Sequence, residues 1–255
     1  MTIDGAPAAK PATQVLASQA LVLLAPPRQY VSRGGHKLAQ ALDRFGLDPQ
    51  GRRCLDAGIS TGGFTDCLLQ RGATDVFGVD VGYGQVHERL RTDDRVTIRE
   101  RTNIRDVSAS DVPQPLPDLL VADLSFIALR LVLPVLVSLI DPSGDVVALV
   151  KPQFEAQRGD VGKGGVVRDV EVWRRVLTDV ATSGAALGWP VVGLTASPIT
   201  GPAGNVEFLA HLRAPDSPAP ATSNKVASSM QDVVDAAVSE GIAVRSGSSA
   251  TSSKD

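Results

Sequence analysis

The sequence has few cysteines, few aromatic residues and no excess of positive charge. Two cysteines in 255 residues exclude a disulfide framework, and no cysteine or histidine spacing suits a metal, so no metal site is expected. The sequence has 25 Lys and Arg residues and 28 Asp and Glu residues, which gives a formal net charge of −3. This balance excludes a strongly basic coat for nucleic acid and leaves room for a local basic patch. The cysteine content favours a reducing compartment, the cytoplasm.

Long hydrophobic runs are also missing. The most apolar stretch, 127–140, is interrupted by Arg130 and Pro134 and falls short of the ~20 residues that a spanning helix needs. The first residues carry neither a basic segment nor an apolar core of the secretory kind. We therefore expect no secretory signal and no membrane partner.

The middle of the chain, 28–214, alternates strand-like and helix-like segments, which predicts an α/β fold with a doubly wound, mostly parallel sheet. A short connection joins the last two strands and has no room for a crossover helix, so these two are expected to pair antiparallel. The seven predicted strands are 53–56, 76–80, 96–98, 119–123, 146–150, 191–196 and 206–212.

Both ends of the chain differ in composition from this middle zone. Residues 1–27 mix short apolar runs with turn residues and are too few to build a core of their own. Residues 215–255 are rich in Ser, Ala and Pro, which predicts a disordered tail with one possible short helix over 228–240.

A glycine-rich turn follows the first predicted strand of the middle zone. Asp56 precedes Gly58, and Gly62 and Gly63 open the next helix, an arrangement that lets the backbone approach a ligand. Asp80 ends the next strand, where a carboxylate can accept both hydroxyls of a ribose. This spacing is not the G-x-G-x-x-G pattern of dinucleotide folds, which disfavours an NAD-dependent oxidoreductase and suits S-adenosylmethionine. The alternative is a tight strand-to-helix turn without a ligand.

Four ionisable residues, far apart in the sequence, are expected to meet at one edge of the sheet. Asp123 and Lys151 each follow an apolar strand, and Glu207 lies near the start of the final one. If that strand is antiparallel, its start lies beside the ends of the others, at the edge where open α/β sheets bind ligands. Lys37 lies early in the first predicted helix. The alternative, for each of these residues taken alone, is an ordinary charge at a strand end or on a helix whose side chain reaches water.

Six blocks of the sequence, in order, resemble a known family. The blocks are 32–38, 55–64, 79–85, 122–127, 149–155 and 201–207. They closely resemble the TlyA ribosomal-RNA methyltransferases, also called haemolysin A-like proteins, whose catalytic part resembles the FtsJ-type 2′-O-methyltransferases. The resemblance implies a Rossmann-like methyltransferase fold and methyl transfer from S-adenosylmethionine to a ribose 2′-hydroxyl of 16S or 23S ribosomal RNA, on a cytidine.

The resemblance also assigns roles to residues of this sequence. The FtsJ-type catalytic tetrad falls on Lys37, Asp123, Lys151 and Glu207. The cofactor positions are expected at Asp56, Gly58, Gly62, Gly63, Phe64, Asp80, Asn103 and Asp123. Four cations are candidates for binding RNA phosphates, although each is also explained as an ordinary solvated charge: Arg33, Arg158, Lys163 and Arg168.

Family members begin with an S4 RNA-binding domain, and residues 1–27 resemble only the tail of one with its linker. A truncated S4 domain, or a start codon assigned too far downstream, is therefore expected. Two further functions stay open at this point. One is a membrane-active haemolysin, after the family's older name, and the other is an RNA-binding protein without activity.

Overall fold

The computed structural model describes residues 2–7, 13–16, 18–22, 29–214 and 229–251. The central element is a seven-stranded sheet. In spatial order its strands are β6 (Val96–Arg99), β5 (Asp75–Val79), β4 (Arg53–Ala57), β7 (Leu119–Ala122), β8 (Asp145–Val150), β10 (Phe208–Arg213) and β9 (Val191–Ala196).

Pairing within this sheet confirms the predicted α/β topology. The first five strands of the spatial order run parallel, and β10 is antiparallel to both β8 and β9. Phe208 at the start of β10 pairs with Val150 at the end of β8. The start of β10 therefore lies at the edge where the parallel strands end.

Helices cover both faces of the sheet. In chain order they are α1 (Gly34–Phe45), α2 (Gly63–Gln70), α3 (Glu88–Arg91), α4 (Leu129–Ser138), α5 (Pro152–Glu155), α6 (Val170–Ala186) and α7 (Met230–Thr251). Helices α1 and α2 bury Leu38 and Leu68 in one apolar cluster. Helices α4, α6 and α7 bury Leu133, Trp173 and Val234 in the other. Two buried layers explain why the central strands are mostly apolar.

The C-terminal helix corrects one prediction. A helix is present where one was predicted over 228–240, but it is longer, because α7 runs from Met230 to Thr251. The rest of the predicted tail, 215–228 and 252–255, lies outside the described residues. Gly241 packs on the Phe208 ring, where a Cβ atom would lie 3.0 Å from the ring edge. The Arg245 guanidinium donates to the Arg168 carbonyl at 2.7 Å and lies over the Trp173 ring. Tertiary contacts thus sustain a helix whose Ser- and Gly-rich sequence has low intrinsic propensity.

Residues near the N-terminus form a separate three-stranded antiparallel sheet. Its strands are β1 (Thr2–Ile3), β2 (Ala6–Pro7) and β3 (Leu21–Val22), in the order β2-β1-β3. The predicted S4-like remnant, 1–27, includes residues 1, 8–12, 17 and 23–27, which lie outside the described ones. Across the described part of the chain, no helix has the length and hydrophobicity to cross a bilayer.

Candidate active site

Two adjoining cavities open at the edge where the parallel strands end. The first, of about 300 Å³, is lined by Lys37, Asp123, Lys151 and Glu207. The second, of about 470 Å³, is lined by Asp80 and Asn103. Four residues line both cavities, namely Gly58, Ser60, Asp123 and Ser125. A group bound in one cavity would therefore lie next to a group bound in the other.

Lys37 and Glu207 form a buried ion pair in the first cavity. Lys37 Nζ lies 2.5 Å from Glu207 Oε2, and the two residues are only 8% and 2% exposed. Helix α1 supplies the lysine, and the residue just before β10 supplies the glutamate. A buried charge is costly unless it is paired, so this contact satisfies both groups at once.

Lys151 and Asp123 form the second ion pair, at the ends of two neighbouring strands. Lys151 Nζ lies 2.6 Å from Asp123 Oδ1. Lys151 also donates a hydrogen bond to Ser125 Oγ at 2.9 Å. The sequence pattern missed Ser125 as a site residue, because its only signal is its place two positions after Asp123 at a strand end.

The glycine turn is shaped by close contacts between neighbouring backbones. Gly58 has φ +87°, and a Cβ atom there would lie 2.7 Å from the Asp123 carbonyl oxygen, so glycine lets the ends of β4 and β7 approach. Gly62 has φ +93° and packs against Leu90 rather than lining either cavity. Gly63 and Phe64 do line the first cavity, where they lie beside α1.

Asp80 is fixed at the wall of the second cavity. Its two carboxylate oxygens accept hydrogen bonds from the Ser60 and Gly82 backbone N–H groups, each at 2.7 Å. Asn103 lies farther along this wall and accepts from the Arg105 N–H at 3.1 Å. Each carboxylate oxygen has further lone pairs for a ligand hydroxyl.

Asp56 lies beneath the turn, outside both cavities. It is fully buried, and its Oδ2 accepts from the Thr65 N–H at 3.0 Å and the Thr65 hydroxyl at 2.7 Å. Burial raises the pKa of the Asp56 carboxyl to about 7, against hydrogen bonds from Thr65 that lower it. The side chain thus fastens the first turn of α2 to the end of β4.

The turn before β10 also holds the Glu207 side chain in place. The sequence pattern did not predict this role for the turn. A Cβ atom on Gly201 would lie 2.6 Å from Glu207 Oε1. Asn205, which is 2% exposed, accepts from the Val167 N–H and donates to the Gly165 carbonyl at 2.8 Å. The loop after α5 is therefore joined directly to the segment that carries Glu207.

The four candidate RNA-binding cations are all exposed. Arg33 lines the cavity itself. Arg158, Lys163 and Arg168 belong to the loop between α5 and α6, the same loop that Asn205 holds.

Comparison with known proteins agrees with this geometry. The family model for FtsJ-like methyltransferases matches residues 30–214. The 16S/23S rRNA (cytidine-2′-O)-methyltransferase TlyA of Mycobacterium tuberculosis is 49% identical over 240 residues, which cover 94% of this chain and 87% of that protein. Hemolysin A of Brachyspira hyodysenteriae is 42% identical and covers 72% of this chain and 76% of its own.

A solved structure of a hemolysin-type protein from Streptococcus thermophilus has the same fold. It superposes with a TM-score of 0.74 at 46% identity, and the match covers 83% of this chain and 75% of that one. Sequence and fold comparisons therefore agree over most of the chain. The chain belongs to the FtsJ-like methyltransferase family and, within it, to the TlyA group.

Proposed function

We propose that this protein transfers a methyl group from S-adenosylmethionine to a ribose 2′-hydroxyl of ribosomal RNA. One observation carries the proposal: two lysine–carboxylate pairs line a single cavity that shares four residues with a second, ribose-compatible cavity. The TlyA relative of Mycobacterium tuberculosis is named for cytidine 2′-O-methylation of 16S and 23S rRNA. We extend that substrate, a cytidine of ribosomal RNA, to this chain.

The second cavity fits the nucleoside part of the cofactor. Its volume lies within the range of small-molecule sites, and Asp80 presents a carboxylate with two oxygens fixed by backbone donors. We assign Asp80 to the cofactor ribose and Asn103 to the adenine side. Gly58 and Gly63 form the wall toward the first cavity, with Phe64. Asp56 and Gly62 would act from below, by holding the turn in shape.

When bound, the cofactor supplies an electrophilic methyl group on a sulfonium. This chain must present the acceptor oxygen in line with that methyl and manage the hydroxyl proton. Lys151 lines the first cavity and is paired with Asp123, which lines both, and it serves as the base or as the cation that stabilises the developing oxyanion. Lys37 is held by Glu207, and this pair lines the same cavity. Positioning of the two reactants would supply much of the rate.

The exposed cations supply contacts to the RNA backbone. Arg33 at the cavity and Arg158, Lys163 and Arg168 on the adjoining loop would bind phosphates and orient the target strand. Because each phosphate contact releases a condensed counterion, this contribution should weaken as the salt concentration rises.

The test is methylation of ribosomal subunits with cofactor labelled in the methyl group. Alkaline hydrolysis then reports the site, because a 2′-O-methyl ribose leaves an alkali-stable dinucleotide whereas a methylated base does not. Wild-type protein should give label in such dinucleotides. Label confined to alkali-labile nucleotides, or no label on either subunit, would contradict the proposal.

Two variants separate chemistry from cofactor binding. Lys151→Ala should abolish methylation and leave S-adenosylmethionine affinity within about twofold of wild type. Asp80→Ala should weaken cofactor binding by at least about tenfold, since it removes the charged acceptor for the ribose hydroxyls. If Lys151→Ala retains methylation, the assignment of that lysine is wrong.

A further inference from the structure

Ser125 is a polar residue at the active site to which the proposed function gives no role. It lies two positions after Asp123 in the segment that joins β7 to α4. Its side chain lines both cavities, and its hydroxyl oxygen accepts a hydrogen bond from Lys151 Nζ at 2.9 Å. A hydroxyl in this place touches the reactive lysine at the junction where the two reactants must meet.

The number of hydrogen-bond donors on a lysine side chain shows why this contact matters for the orientation of Lys151. An ammonium group has three N–H donors in a tetrahedral arrangement and no acceptor. On Lys151 one donor is directed at Ser125 Oγ at 2.9 Å, and Asp123 Oδ1 lies 2.6 Å from the same nitrogen as its ion-pair partner. The hydroxyl therefore fixes the direction of one N–H bond, while the carboxylate holds the charge in place.

Without the hydroxyl, Lys151 would keep only its charge partner. An ion pair fixes the distance between Nζ and Asp123 Oδ1, but it does not fix the rotation of the three N–H bonds. The Ser125 hydroxyl removes this rotation, because it accepts a hydrogen bond from one of the three.

We propose that Ser125 is a positioning residue. Together with Asp123, it fixes the direction in which the Lys151 ammonium group points toward the ribose hydroxyl. This inference rests on the proposed function, because it concerns how Lys151 acts in that reaction. Both anchors come from the segment after β7, while Lys151 follows β8, so the register of two adjacent strands sets the geometry.

The test compares Ser125→Ala, Ser125→Thr and a control, Ser138→Ala. Ser138 carries its hydroxyl on the last turn of the helix that follows the same segment, where it bonds to the Val135 carbonyl and lies outside both cavities. Turnover of methyl transfer to ribosomal subunits is measured together with KM for the subunit and Kd for S-adenosylmethionine.

Ser125→Ala should lower kcat at least about tenfold, with KM and Kd within about twofold of wild type, because binding groups are untouched while the lysine loses its second anchor. Ser125→Thr keeps the hydroxyl on an exposed side chain with room for a methyl group, and it should restore most of the rate. Ser138→Ala should match wild type.

Three outcomes would overturn the inference: an undiminished kcat in Ser125→Ala, a loss that falls on KM or Kd instead, or a threonine variant as slow as the alanine one. Failure of the proposed function is recognised separately, since wild-type protein would then give no alkali-stable label. If wild type is active, Lys151→Ala is inactive and Ser125→Ala is unchanged, the role of Ser125 alone is wrong.

Discussion

Lys37 and Glu207 are 170 positions apart in the sequence, yet their charged atoms meet at 2.5 Å in a nearly solvent-free place. Each is the other's charge partner, and each lines the proposed acceptor cavity. A site assembled in this way depends on the antiparallel return of β10, because that strand brings Glu207 back to the edge where α1 begins.

This pair should show strong coupling in unfolding experiments. Lys37→Met and Glu207→Gln each leave one buried charge or dipole without its partner, and each should lower the free energy of unfolding by about 3 kcal/mol. The double variant removes both charges, so its loss should be clearly smaller than the sum of the two. Urea unfolding of the four proteins measures this coupling. Losses that simply add would show that the two groups act independently.

The Gly201 contact predicts an effect on activity as well as on stability. A Cβ atom there would come within 2.6 Å of Glu207 Oε1, so Gly201→Ala should displace the carboxylate and lower kcat at least about tenfold. Gly159→Ala is the matched control, because open space surrounds that position and its backbone accepts a side chain. Thermal unfolding checks that both variants fold. Equal rates for the two variants would rule out this role for Gly201.

Much of this site could be predicted from the sequence, because the sequence pattern shows where the strands end. Asp123 and Lys151 stand directly after runs of buried apolar residues, and parallel strands align such positions at one edge. The sequence does not predict which lysine pairs with which carboxylate, since the pairing depends on side-chain directions that spacing does not fix. Ser125 shows the same limit: a serine after a strand is common, and only the Lys151 contact distinguishes this one.

The sequence did not predict the full length of α7, for a different reason. Its composition resembles that of a linker, and the contacts that sustain it come from distant residues. Glu240 accepts from the Thr195 hydroxyl at 2.8 Å and the Ala196 N–H at 3.0 Å, on the outermost strand of the sheet. Local propensity cannot report a helix whose stability comes from tertiary packing.

The Asp56 carboxyl predicts how stability changes with pH. Burial raises its pKa to about 7 in the folded protein, whereas an unfolded chain has the ordinary value of about 3.9. Between these values the folded protein keeps a proton that the unfolded chain has released. The stabilisation is therefore complete below about pH 4 and is lost as pH rises through about 7.

Asp56→Asn isolates this effect, because the amide is neutral at every pH and its oxygen can still accept both bonds from Thr65. Its stability relative to wild type should rise from pH 4.5 to pH 8, by an amount on the order of a few kcal/mol. Urea unfolding of both proteins across this range is the measurement. A difference between them that stays constant with pH would contradict the raised pKa.

The loop cations predict a change in the salt dependence of RNA binding. Arg158→Glu with Lys163→Glu should weaken binding to ribosomal RNA fragments and reduce the slope of log K against log salt by about one unit for each phosphate that is no longer neutralised. Arg95→Glu is the control: it is also an exposed arginine, but it precedes β6 and lies at the opposite edge of the sheet. Fluorescence anisotropy between low and moderate salt measures both slopes. If the double variant keeps the wild-type slope, these two side chains do not bind phosphates.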